Sequence, residues 1–301
     1  MGSNSYHLLI ADWQQGQLSP GFVAVERVQT ALLMRGDQIT EEAEERVLSC
    51  LERFRAIARA RGCARIVAVG TSALRQASNT GQLLAKAEAI LGWPVVVLSG
   101  ADEARLIYRA VTFARGNPER RMLVLDIGGG STEIIRGYGS KIEDLESLAL
   151  GCVSSLKRHF SDGKLNRTNF EACVQAARQQ LLPLVPRFRM GPEMDAVGCS
   201  GTALAIVRLL GLAEISLLDL ERLRDQLLGS FTRINEVSFE GLDSNRSGLL
   251  APGLAVLIAL LDSFSISRMT TVDAALREGV ALAWYLGDDA LSQELSPGIA
   301  I

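Results

Sequence analysis

Histidine is almost absent from this chain: His7 and His159 are the only two in 301 residues. That removes the ordinary basis for Ser-His-Asp chemistry and for histidine-bound zinc. Cysteine is also sparse. Cys50, Cys63, Cys152, Cys173 and Cys199 are odd in number and dispersed, with no pair at metal-binding spacing, so they read as reduced, mostly buried thiols and exclude a disulfide framework. Charge is modest, with 31 Lys and Arg against 34 Asp and Glu and a net charge of −3, which excludes a DNA-coating surface. No apolar run is long enough for a bilayer, and the N-terminus lacks the plan of a signal peptide. Tyr6 stands where a myristoylation signal wants Ser or Thr. The expectation is a cytoplasmic protein without membrane or nucleic-acid partners, whose chemistry rests on carboxylates, backbone amides and arginines.

What is present begins with Val124-Leu125-Asp126-Ile127-Gly128-Gly129-Gly130-Ser131-Thr132-Glu133. Gly128, Gly129 and Gly130 leave a backbone without Cβ atoms, so successive N–H groups can approach an anion closely. Asp126, closing the strand, is placed to hold a hard divalent cation against phosphoryl oxygens. Ile134 and Ile135 return the chain as a second strand, making a phosphate-holding hairpin. Glycine runs also occur in plain turns. The carboxylates of Asp126 and Glu133 on either side favour the metal–phosphate reading.

The 48% hydrophobic content supports sizeable cores, and the length suggests about two domains. Strands are expected at residues 6–11, 21–27, 65–69 and 94–98. Thr40 reads as an N-cap before Glu41, Glu42 and Glu44, and Val47, Leu48, Leu51, Phe54, Ile57 and Ala58 recur at helical spacing. Further helices are expected at 79–91 and 101–113. The polar stretch 115–121 reads as a boundary. Beyond the hairpin the pattern predicts a strand near 146–150, a helix at 170–182 and a strand at 194–197. Gly198-Cys199-Ser200-Gly201-Thr202 leads into a helix, followed by helices at 218–228 and 249–263, a strand at 270–274 and a helix at 276–286. This alternation is α/β. Domains are placed at 1–118 and 119–279, with a C-terminal helix and tail at 280–301.

Seven segments then occur in a recognisable order: Gly2-Ser3-Asn4-Ser5, Thr71-Ser72-Ala73-Leu74-Arg75, the stretch from Ser99 through Asp102, Glu103 and Arg105 to Tyr108, the Asp126 hairpin, Leu150-Gly151-Cys152-Val153, Ser200-Gly201-Thr202 and Leu276-Arg277-Glu278-Gly279. Together they resemble the Ppx/GppA phosphatases, which hydrolyse inorganic polyphosphate or guanosine pentaphosphate (pppGpp). The length matches the short, two-domain members. The resemblance implies a duplicated actin-like (ASKHA, ribonuclease H-like) fold with an interdomain cleft, Mg²⁺ as cofactor, and an assembly that includes the homodimer. It makes Glu103 the base that deprotonates the attacking water and a metal-site residue, Asp126 the principal metal ligand, and Glu133 a third catalytic carboxylate. Gly2, Ser3, Asn4, Ser5, Arg75, Gly128, Gly129, Gly130, Ser131, Ser200, Gly201 and Thr202 become the phosphate-binding set. Asp102, where the family more usually has Glu, is taken as solvated. Arg246 and Arg277 are left outside the set, because arginines near helix starts are usually surface or interdomain pairs.

One departure stands out. The family begins with a strand ending in Asp-Ile-Gly-Ser-Asn-Ser, whereas Met1 here falls where the Ile or Leu would be. The resemblance therefore implies that the first strand and its metal-binding Asp are absent from this sequence, with a natural start upstream. Alternatives to a polyphosphate or pppGpp phosphatase are a catalytically impaired polyphosphate or alarmone sensor, which the absent Asp would favour, and a kinase of the same superfamily, which lacks the Glu103 and Ser-Ala-Leu-Arg contexts.

Overall fold

The computed structural model describes residues 1–14, 17–116, 118–191, 193–243 and 246–287. The chain divides into two compact units, Met1–Ala110 with the segment from Leu276 onward, and Val111–Ala275. The division falls within the helix Gly100–Ala114 rather than at the polar stretch 115–121, and the helix Leu276–Leu286 groups with the first unit rather than being split at residue 279. The Tyr285 hydroxyl donates to Ala11 O at 2.8 Å, and Gly279 lies so close to Leu106 that a Cβ there would stand 2.1 Å from the Leu106 carbonyl oxygen.

Unit 1 carries two small sheets. The antiparallel hairpin of β1 (Tyr6–Gln14) and β2 (Gln17–Glu26) is one; β3 (Ala68–Gly70) beside parallel β4 (Val95–Val97) is the other. The helix Glu41–Ala60 starts as its sequence predicts, the Thr40 side chain accepting from the Ala43 amide while three acids occupy the first turn. Its Val47, Leu51 and Phe54 join Tyr6, Leu74, Leu83 and Leu91 in one core. The strand expected at 65–69 is shorter than its apolar sequence suggests: pairing covers only Ala68–Gly70. Beside it the Met1 amino group donates to Val69 O at 2.7 Å and the Thr71 amide donates to Met1 O at 3.2 Å, the two bonds of a parallel ladder.

Unit 2 is built on a six-stranded sheet in the order β7-β6-β5-β8-β10-β9. β5 (Arg121–Ile127), β6 (Thr132–Tyr138) and β7 (Lys141–Leu148) form an antiparallel meander, so the expected hairpin is present and its third strand begins five residues earlier than residue 146. β8 (Met194–Gly198) pairs parallel to β5; β9 (Glu214–Ile215) and β10 (Met269–Thr271) complete the far edge. The helix Ser247–Ser263 is buried from Leu249 to Leu261, a continuous apolar run inside the unit's core.

Both units place a short turn before a hairpin. In each, a glycine folds back on the carbonyl oxygen three residues later: a Cβ on Gly2 would lie 2.8 Å from Ser5 O, and one on Gly128 would lie 3.2 Å from Ser131 O.

Candidate functional site

In unit 2 the turn 128–131 is closed by the Gly128 amide donating to Ser131 O at 2.9 Å. Its carbonyls face the start of the helix Cys152–His159: Cys152 N donates to Gly128 O at 2.9 Å and Val153 N to Gly129 O at 2.8 Å. The carbonyl side of the turn is thus occupied. The amides of Gly129, Gly130 and Ser131 find no protein acceptor among the described residues. Three successive unclaimed N–H groups form a ready anion site. Gly151 permits this packing, since a Cβ there would fall 2.4 Å from Gly129 O, and this accounts physically for the Leu150-Gly151 segment.

Asp126 and Glu133 are direct cross-strand partners and both are buried, Asp126 at 9% and Glu133 at 1% exposure. Partners opposite each other share a sheet face, so two carboxylates lie side by side next to the amide turn. Glu133 accepts from the Ser147 hydroxyl at 2.8 Å. Among the described residues Asp126 has one hydrogen-bond partner, the Cys199 thiol, with Sγ 3.6 Å from Oδ2. Burial pushes the Asp126 carboxyl up to about 6, the thiol contact opposing it.

The turn 200–202 follows β8. Ser200 caps the helix Gly201–Leu210 by accepting from Ala203 N at 3.2 Å, and the Thr202 hydroxyl donates to Ile127 O at 3.1 Å, tying this turn to the end of β5. Arg246, set aside in the sequence reading, lies here. Its guanidinium covers Gly201, where a Cβ would meet Nη2 at 2.2 Å, and its charge reaches the Cys152 thiol. No carboxylate pairs with it among the described residues. A cation at the positive end of a helix is unfavourable unless an anion joins them.

Unit 1 carries a second group of residues. The carbonyls of Ser3 and Asn4 accept from Ala31 N at 2.9 Å and Gln29 N at 2.8 Å, while the amides of Gly2, Ser3, Asn4 and Ser5 have no protein acceptor among the described residues. Arg75, in the helix Ser72–Gln76, donates through Nη1 to Leu98 O at 2.7 Å and to Glu103 Oε2 at 3.2 Å. Its Nε and Nη2 find no protein acceptor among the described residues, so the other edge of the fork can take an anion. Glu103 is buried in the first turn of its helix. Asp102 is engaged rather than simply solvated: it accepts from Arg105 at 2.7 Å and from the Ser99 hydroxyl, which caps its own amide. Arg277 pairs with Glu278 and contacts His7 Nδ1 at 3.3 Å.

Among the described residues no group of three or more His, Cys, Asp and Glu side chains is arranged to hold a metal ion. Asp126 and Glu103, paired in the expected metal set, belong to different units. What does fit a hard divalent cation is the donor chemistry at Asp126: a buried carboxylate with no ion pair to a cationic side chain among the described residues, beside a turn with unclaimed amides. Mg²⁺ characteristically takes one or two carboxylates and completes its shell with water and substrate phosphate.

The sequence profile of the Ppx/GppA phosphatase family matches residues 24–287. The chain belongs to the Ppx/GppA phosphatase family. Its fold is also that of solved members. An exopolyphosphatase from Cytophaga hutchinsonii superposes with a TM-score of 0.85 at 27% identity, covering 96% of this chain and 97% of that one. The Aquifex aeolicus PPX-GPPA enzyme gives 0.76 at 23% identity, over 94% and 97%. An exopolyphosphatase-like protein gives 0.85 at 21% identity, over 94% and 95%. The mixed α/β fold expected from the sequence is the fold of this Ppx/GppA chain, in the short, two-domain form. No helix among the described residues is long and apolar enough to cross a membrane.

Proposed function

We propose that this Ppx/GppA protein removes the terminal phosphate of inorganic polyphosphate by Glu103-assisted attack of water, with Mg²⁺ held at Asp126. The observation that carries this reading is the turn 128–131, where three amides without an acceptor among the described residues adjoin a buried carboxylate that pairs with no cationic side chain among them. Such a pairing suits a phosphoryl group and a divalent cation together and has little use otherwise.

The chain's own residues divide the work. The amides of Gly129, Gly130 and Ser131, with those of the turn 2–5, bind phosphate oxygens. Arg75 holds the Glu103 carboxylate through Nη1 and offers Nε and Nη2 to a phosphate; this keeps Glu103 oriented to accept a proton from water. Arg246, over Gly201, provides a further cation for the polyanion. Mg²⁺, when bound, neutralises charge on the phosphoryl oxygens. Phosphoryl transfer asks mainly for positioning and charge stabilisation, so the scarcity of histidine is no obstacle. The proposal places the protein in the cytoplasm.

The test is phosphate release from long polyphosphate, pppGpp and ATP, with and without Mg²⁺, for the parent and Glu103→Gln. We expect polyphosphate to be the preferred substrate and the variant to lose roughly 10²- to 10⁴-fold in turnover while still binding polyphosphate. Undiminished release by the variant removes Glu103 from the base role. Preference for pppGpp would make the protein an alarmone phosphatase acting through the same groups, and binding without turnover in the parent would make it a sensor.

A further inference from the structure

Cys199 is a buried thiol at the junction of β8 and the turn 200–202, in contact with the one carboxylate to which the proposed function assigns the cation. The end of β5 holds it in two ways. Its amide donates to Leu125 O at 3.1 Å, and its sulfur stands 3.7 Å from the same oxygen and 3.6 Å from Asp126 Oδ2. Both oxygens are within reach of the thiol, and the carboxylate, when ionised, is the stronger acceptor and takes the shorter contact. The second oxygen of Asp126 accepts from no protein donor among the described residues.

We propose that Cys199 is a positioning residue for Asp126, its S–H engaging Oδ2 so that Oδ1 is presented to a divalent cation. The inference rests on the reading of Asp126 as the cation-holding group. It deepens that reading by naming the side chain that orients the carboxylate. A carboxylate with one anchored oxygen is held against rotation about its own bond, so its open oxygen would meet a cation in one orientation. Groups that orient a metal ligand from behind typically affect metal affinity as strongly as moderate changes in the ligand itself.

The experiment compares the parent, Cys199→Ala, Cys199→Ser and Asp126→Asn. Mn²⁺ binding is read by electron paramagnetic resonance with Mn²⁺ alone, and kcat and KM for polyphosphate are read in parallel. Thermal melts check that each variant is folded. We expect Cys199→Ala to weaken Mn²⁺ binding about tenfold and to lower kcat with little change in KM. We expect Cys199→Ser, which restores a donor, to stay within about threefold of the parent. Equal losses in the Ala and Ser variants would show that the thiol only packs, and would overturn the proposal. So would Mn²⁺ binding that is unaffected by Cys199→Ala or by Asp126→Asn. A parent that binds Mn²⁺ in a Cys199-dependent way yet releases no phosphate would leave the positioning role standing and defeat the catalytic reading instead.

Discussion

A single carboxyl group shows how site and stability compete in this chain. Asp126 is lifted by burial to about 6 from an ordinary value of 3.8. A raised carboxyl favours its neutral form in the folded protein. The stability it contributes is full below the unfolded-state value and is lost as pH rises through about 6. The difference corresponds to about 3 kcal/mol at neutral pH. Asp126→Asn is therefore expected to raise Tm at pH 8 in EDTA by several degrees, with no gain at pH 4; calorimetry at both pH values checks it. Arg246 gives a second prediction of this kind. Its guanidinium lies over Gly201 with no carboxylate partner among the described residues, and the proposed function gives it the polyanion. Arg246→Ala should raise KM for polyphosphate roughly tenfold, the usual scale of one charge-assisted hydrogen bond, while leaving the melting temperature near the parent's. Sequence reasoning passed over Arg246 because no local pattern distinguishes it from a surface arginine. Its signal is spatial, a cation at the positive end of a helix.

Helices and strands here were readable wherever the apolar period was long. The helix Glu41–Ala60, the meander around the Asp126 hairpin and the buried helix Ser247–Ser263 all follow from spacing and caps. Short elements were not readable. The apolar run at 65–69 yields only three paired residues, because pairing depends on which neighbouring strands are present and not on composition. The helix Ser72–Gln76, which carries Arg75, has five residues and no periodic signature. Glycines inside helices were likewise opaque. Gly279 is required because the helix Leu276–Leu286 crosses the Leu106 backbone at contact distance. Gly279→Ala should destabilise the protein by about 3 kcal/mol through overpacking against a backbone that cannot yield. A urea titration measures this directly.

The whole molecule is two units of unequal continuity. Unit 2 is one uninterrupted stretch with its own sheet and core, whereas unit 1 is completed by a helix that arrives from the far end of the chain. A fragment of residues 115–275 is accordingly expected to fold alone with a cooperative urea transition. A fragment of residues 1–110 should not, because the helix that meets β1 and Leu106 is missing. Circular dichroism on both fragments decides the point. The two turns, 2–5 and 128–131, give each unit a row of amides without protein acceptors among the described residues, the groups to which the proposed function assigns the phosphate.

By itself the sequence determined the class of chemistry and the order of the pieces. Few histidines and dispersed thiols exclude several chemistries, and the seven segments carry the resemblance to a phosphatase family on an α/β scaffold. These are properties of residue type and spacing, which survive without coordinates. Tertiary structure decided which groups are spoken for. Arg75 proves to be paired with Glu103, Asp102 is tied to Arg105 and Ser99, and Asp126 has, among the described residues, only the Cys199 thiol. Partnership of this kind depends on residues up to 73 positions apart being brought within hydrogen-bond reach, and no local pattern along the chain records that distance.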